Sequence, residues 1–173
     1  MRGRVVAIGL GGAAAVVAVT WAVGAFLGFN GFAAAWTVHF AMMAWMSALL
    51  DAAKPELRGD WFRVRAWEPG AYRRLGAWRY MRLLRAIGWE RHNRRLDGAR
   101  SSLPAFELAT RRSEAAHLVI GLIGLVLAAV AIGFRAWWAA GWLVFLDVVL
   151  HGYPVLLQRA VRFRLQRLAP AHT

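Results

Sequence analysis

Apolar side chains run almost unbroken from Val5 to Leu50, where Asn30 and His39 are the only strongly polar positions. A second apolar stretch runs from Ala115 to Leu157. A soluble domain would leave such runs nothing with which to face water, whereas about 20 apolar residues cross a bilayer as a helix. The pattern predicts four membrane helices, at about 5–28, 32–50, 115–134 and 137–157. Gly28, Asn30 and Gly31 supply a turn between the first pair, and Gly133 with Arg135 between the second. Arg2 and Arg4 followed by apolar residues imitate a signal peptide, but an h-region spans only about 7 to 15 residues, and this run continues through a second crossing.

Between the two pairs the pattern changes at Asp51 and reverts near Ala115. The insert 51–114 holds 15 cations and 8 acids, a surplus of about +7 within a chain of net charge +13. From Tyr72 to Ile87, arginines at 73, 74, 79, 82 and 85 alternate with Leu75, Trp78, Met81, Leu84 and Ile87, which predicts one basic amphipathic helix at the interface. Trp61, Trp67, Trp78 and Trp89 are expected at headgroup level, where aromatic belts anchor membrane proteins. The spacing of Gly24 and Gly28 permits close helix approach.

Lys and Arg flanking membrane segments stay on the cytoplasmic side. Of the 22 cations, only Arg135 falls on a predicted outer turn, so both termini and the insert are expected inside. The fold class is therefore an all-α integral membrane protein: two helical hairpins, cytoplasmic termini and a basic cytoplasmic insert, forming a single membrane domain over 1–173 with a basic tail at 158–173. The chain has no Cys, which excludes disulfides, thiolate nucleophiles and Cys-ligated metals. A pI near 11.8 raises nucleic acid as a partner, but no nucleic-acid motif is visible and the basic residues follow the membrane boundary. Gly9-Leu10-Gly11-Gly12 lies inside a membrane helix without a preceding strand and is no phosphate loop.

Three constellations carry candidate chemistry. Glu114 and His117 are three apart and share a helix face, so the carboxylate can orient the imidazole as a general base, or else the pair merely marks a helix entry. Arg111 and Arg112 beside them suit phosphates or developing negative charge. Di-iron bundles need two Glu-x-x-His motifs and further glutamates, and this chain has one, so no metal is expected. Asp147 falls about 15 Å along the fourth span, near mid-bilayer, where an ionisable group needs a partner or a cavity. His39 and His151 are its candidate partners, as an interhelical clamp or a polar pocket. His117 is expected near His151. Gln158, Arg159 and Arg162 mark the exit from the bilayer, with guanidinium forks suited to a phosphate, a carboxylate or lipid headgroups. Pro154 should kink the helix and free a carbonyl.

Taken in order, Trp61-Phe62-Arg63-Val64-Arg65-Ala66-Trp67, Arg111-Arg112-Ser113-Glu114-Ala115-Ala116-His117, and Pro154 with Gln158-Arg159 and Arg162-Phe163-Arg164-Leu165 resemble the glycosyl-4,4'-diaponeurosporenoate acyltransferase family. Those bacterial membrane enzymes esterify a sugar hydroxyl of a carotenoid glycoside with a fatty acyl chain. The resemblance implies a multi-pass protein of the bacterial cytoplasmic membrane. It also implies a shared site including Arg65, Trp67, Glu114, His117, Gln158, Arg159, Arg162 and Arg164. Arg111, Arg112 and Tyr153 are further substrate-binding candidates within the same segments. Two places depart from the family pattern: Ala160 and Val161 replace a Tyr-Asn pair, and His151 and Gly152 stand where an Asn usually precedes the Pro.

The expected activity is transfer from an acyl-CoA or another acyl thioester to a hydroxyl of a lipid or glycolipid, with no resident cofactor. Expected partners are membrane lipids, the lipid-borne acceptor, the donor, and a second copy or pathway enzymes. Two other classes compete: a non-catalytic adaptor binding anionic lipid, and a proton or small-solute path through Asp147, His39 and His151.

Overall fold

The computed structural model describes residues 2–88 and 102–168. Among these the regular structure is all helical, with no strand. Its elements are α1 (Arg2–Leu27), α2 (Phe32–Ala53), a 3-10 turn (Asp60–Phe62), α3 (Glu68–Arg74), α4 (Ala77–Ala86), α5 (Leu103–Gly133), α6 (Trp137–Asp147), a π turn (Val148–Gly152) and α7 (Tyr153–Leu168). Four helical stretches are long and apolar enough to cross a membrane: Arg2–Leu27, Phe32–Ala53, Leu103–Gly133 and Trp137–Arg167. The third and fourth extend well past the expected 115–134 and 137–157, because Leu103–Glu114 and Gln158–Leu168 continue as helix with polar side chains. Trp89 and the rest of 89–101 lie outside the described residues.

The contacts divide the described chain into two compact units, one of residues 2–55 and 116–152 and one of 56–88, 102–115 and 153–168. In the first, α1 pairs with α2 across the expected turn, where Gly28 takes the left-handed φ of 88° that suits glycine. The Trp45 indole N–H donates to the Ile8 carbonyl at 3.2 Å. Its ring also fills the space that a side chain at Gly12 would need. The core is Val38, Met42, Met46, Ile120, Leu143 and Leu146 with small alanines between helices. Gly24 is the only buried residue of α1, and Val6, Leu10, Val17, Trp21, Phe26 and Leu27 are exposed. A water-facing helix of that kind would be an outsized apolar patch, whereas in hydrocarbon it is an ordinary lipid-facing surface.

In the second unit α3 and α4 pack on α7 around Val64, Tyr72, Ala77 and Ala160. The single amphipathic helix expected over 72–87 is broken. Gly76 adopts a φ of 81°, ending α3 at Arg74 and opening α4 at Ala77, so Leu75 and Ile87 are exposed and do not continue one apolar stripe. Pro154 has no N–H to return to residue 150, and the expected kink takes the form of the π turn just before it, which carries His151.

Candidate active site

Two polar centres stand out, one in each unit. The Glu-Pro opening of α3 and the helical spacing of four residues put Glu68 and Tyr72 on one face, and both are buried. The Glu68 carboxylate accepts from the Arg65 backbone N–H at 2.9 Å, from the Tyr72 hydroxyl, and from Arg159 of α7 at 2.9 Å. Arg159 further donates to the Trp61 carbonyl at 3.1 Å and to Glu114 Oε1 of α5 at 2.8 Å. One turn on, Arg162 is fully buried. It pairs with Glu114 Oε2 at 2.5 Å and donates to Thr110 Oγ1 at 3.1 Å and the Phe62 carbonyl at 3.2 Å. Two guanidiniums thus face two carboxylates in a buried cluster, the arrangement in which burial of charge is tolerated.

The electrostatics of Glu68 and Tyr72 follow from this packing. Burial alone would raise the Glu68 carboxyl, but the bonds from Arg159, Tyr72 and the Arg65 N–H override it and hold the group at about 2. Burial and the Glu68 carboxylate together push the Tyr72 hydroxyl up to about 12. Neither residue was singled out by sequence reasoning, although the four-residue spacing of Glu68 and Tyr72 was there to be read.

Several expected roles look different in this setting. Glu114 was expected to orient His117, and its two oxygens are instead taken by Arg159 and Arg162. Both of those arginines, expected to hold a phosphate, a carboxylate or lipid headgroups, spend most of their hydrogens on carboxylates, carbonyls and hydroxyls of the protein. Arg164 lies over the Trp78 ring at 4.2 Å, a cation–π contact. Tyr153 stacks on Tyr80 at 5.0 Å. Arg111 donates to Glu107 at 2.6 Å and to the Leu57 carbonyl at 3.2 Å. Gln158 and Arg112 are half-buried, whereas Trp67 is exposed. Arg65, Arg111, Arg63, Arg167, Phe163 and Gln166 line an open groove of about 1070 Å³. Gln166, which sequence reasoning passed over, ties the groove wall together by accepting from the Val64 N–H at 3.2 Å and donating to Glu107 at 3.3 Å.

The second centre is a file of three imidazoles. His39 of α2 donates from Nε2 to the Leu143 carbonyl at 3.2 Å, and its Nδ1 lies 3.0 Å from His151 Nε2. His151 Nδ1 lies 3.0 Å from His117 Nδ1 of α5. A carbonyl only accepts, so His39 carries its hydrogen on Nε2 and presents a lone pair at Nδ1. For neutral rings the rest follows: His151 donates from Nε2, His117 donates from Nδ1, and His117 Nε2 keeps its lone pair. His39 and His151 are buried, and His117 is half-buried. Asp147 completes the group, with Oδ1 4.0 Å from His39 Nδ1. The structure therefore brings His39, His151, His117 and Asp147 together, and anchors His39 on the Leu143 carbonyl, which no sequence signal marks.

A family model described as glycosyl-4,4'-diaponeurosporenoate acyltransferase matches residues 58–171, which include the arginine-carboxylate cluster, the groove, His117 and His151. No protein of curated description and no solved structure matches the chain significantly. With about two thirds of its length matched and four helices able to span a bilayer, the chain belongs to the glycosyl-4,4'-diaponeurosporenoate acyltransferase family and is a membrane acyltransferase.

Proposed function

We propose that the protein moves a fatty acyl group from an acyl thioester to a hydroxyl of a lipid or glycolipid acceptor, of the carotenoid-glycoside kind, with His117 as the proton acceptor. The observation that carries this reading is the hydrogen bond from His117 Nδ1 to His151, which leaves Nε2 with a lone pair. In the reaction the acceptor oxygen attacks the thioester carbonyl, its proton passes to His117 Nε2, and the thiol leaves with a proton returned from the same ring. Direct transfer suits a chain without Cys.

His151 takes over the orienting role first expected of Glu114. The phosphate-binding role moves to the groove, where the exposed Arg63 and Arg65, with Arg111 and Arg167, meet a donor's phosphates. Arg159 and Arg162 hold that scaffold through Glu68 and Glu114. The charge pattern supports an orientation with both termini and the insert cytoplasmic, and the family resemblance supports a bacterial cytoplasmic membrane.

The test is a lipid mass-spectral comparison of cells with and without the protein. A new acylated lipid should appear with the wild type. It should fall about 10²- to 10⁴-fold with His117→Ala, the range typical of a lost general base. Arg65→Ala should raise the KM for the donor with little change in kcat. An unchanged product level in His117→Ala would remove the imidazole from the reaction. A wild type that forms no ester would leave the non-catalytic lipid-binding adaptor as the better reading.

A further inference from the structure

Within the membrane-spanning unit, His39, Asp147 and His151 converge on one buried spot. Asp147 is buried, and its Oδ1 has no hydrogen-bond partner. An unpaired carboxylate oxygen in such surroundings is costly, which makes it a pointer to a missing positive group. Facing it at 4.0 Å is His39 Nδ1, which must be a lone pair because the other nitrogen of that ring donates to the Leu143 carbonyl. His151 is the third member. One ligand atom from each of His39, Asp147 and His151 falls within 4.8 Å of the other two, and all three residues are buried.

We propose that His39, His151 and Asp147 form a binding site for one divalent transition-metal ion of the zinc type. Two imidazoles and a carboxylate are a donor set that zinc accepts, with a fourth position left for water or another ligand. Ring nitrogens each about 2.0 Å from a tetrahedral ion stand about 3.3 Å apart. The observed separations of 3.0 Å between His39 Nδ1 and His151 Nε2 and 4.0 Å between His39 Nδ1 and Asp147 Oδ1 bracket that value.

The surroundings of the two rings point the same way. Ligating histidines almost always engage their other nitrogen, often on a backbone carbonyl, which fixes ring orientation. His39 does so through Leu143, and His151 has His117 Nδ1 at 3.0 Å on its far side. The backbone of α5 also passes close beside the cluster. A Cβ at Gly124 would lie 2.7 Å from Asp147 Oδ1 and 3.1 Å from His39 Cε1, so only glycine lets this helix pass so close. The expectation of no metal, argued from the single Glu-x-x-His motif, covers a lone zinc site as well. The donors that converge lie instead on α2, at the end of α6 and in the π turn.

The proposal is read by metal uptake and not by ester formation, so its failure is distinguishable from failure of the acyl-transfer reading, in which His117 Nε2 accepts a proton in the metal-free file. Full-length protein in detergent micelles, stripped with a chelator, is titrated with Co²⁺ under visible absorption and then with Zn²⁺ as competitor. One equivalent should bind, with the intense ligand-field bands of a tetrahedral site, and Zn²⁺ should displace it. Asp147→Asn, close in shape to the wild type, and His151→Ala should abolish stoichiometric binding. His117→Ala should weaken it about 10- to 100-fold, as for the loss of an outer partner. Far-UV circular dichroism and elution volume show whether each variant is folded. X-ray absorption on the wild type supplies a reading independent of any variant, with imidazole scattering in the first shell expected. A wild type that binds no equivalent, or a bound ion without imidazole ligands, would overturn the proposal, as would undiminished binding by folded Asp147→Asn.

Discussion

Glu68 takes hydrogens from a backbone amide, a phenol and a guanidinium, and this sets how the second unit responds to pH. In the folded protein the carboxylate stays ionised down to about 2, whereas in the unfolded chain it protonates near 4.5. Between those values the unfolded state binds more protons, so the contribution of Glu68 is complete above pH 4.5 and drains away as pH falls towards 2. Tyr72 acts at the other end. Its proton is held up to about 12 when folded and lost near 10 when unfolded, so stability should drop as pH climbs through that interval. Chemical unfolding in detergent across both ranges should show two flanks, with Tyr72→Phe flattening the alkaline one. An alkaline flank unchanged in that variant would contradict the assignment.

At the level of elements, Gly76 is the hinge on which the basic insert is organised. Its φ of 81° sits in the left-handed region, where an L side chain is strained by about 1–2 kcal/mol. Gly76→Ala should destabilise by that amount. Gly70→Ala, in open space inside α3, should gain up to about 1 kcal/mol from helix propensity. Equal thermal shifts for the two variants would argue against a strained break. Gly76 also shows the limit of periodicity as a guide. The 72–87 pattern registered arginines and apolar positions but gave one glycine no power to stop a helix. The inter-helix turns were legible because Gly28, Asn30, Gly31 and Arg135 interrupt otherwise unbroken apolar runs. Convergence of His39, Asp147 and His151 could be read from cost alone, since each is polar where lipid surrounds the chain. The partner of Glu114 could not, because Arg159 and Arg162 lie 45 and 48 positions away and nothing local distinguishes them from other arginines at the bilayer exit.

For the molecule as a whole, the absence of Cys makes membrane orientation directly measurable, because a single introduced thiol has no competitor. Arg135→Cys, on the turn between α5 and α6, should react with an impermeant maleimide added outside intact cells. Arg85→Cys, near the end of α4, should react only after the membrane is opened. The reverse pattern would invert the arrangement and put most of the arginines on the outer face, against the charge rule. The Leu143 carbonyl has one further effect that reaches along the whole imidazole file. Because it pins the first ring hydrogen, every later one must follow like a row of toggles, and the three neutral rings share three hydrogens in either setting. With the file empty of metal, the last ring ends in a lone pair. With an ion on His39 and His151, the hydrogen of His151 moves to its far nitrogen, and His117 is turned round to end in an N–H. What occupies the bilayer interior thereby decides whether the outermost imidazole receives protons or offers them.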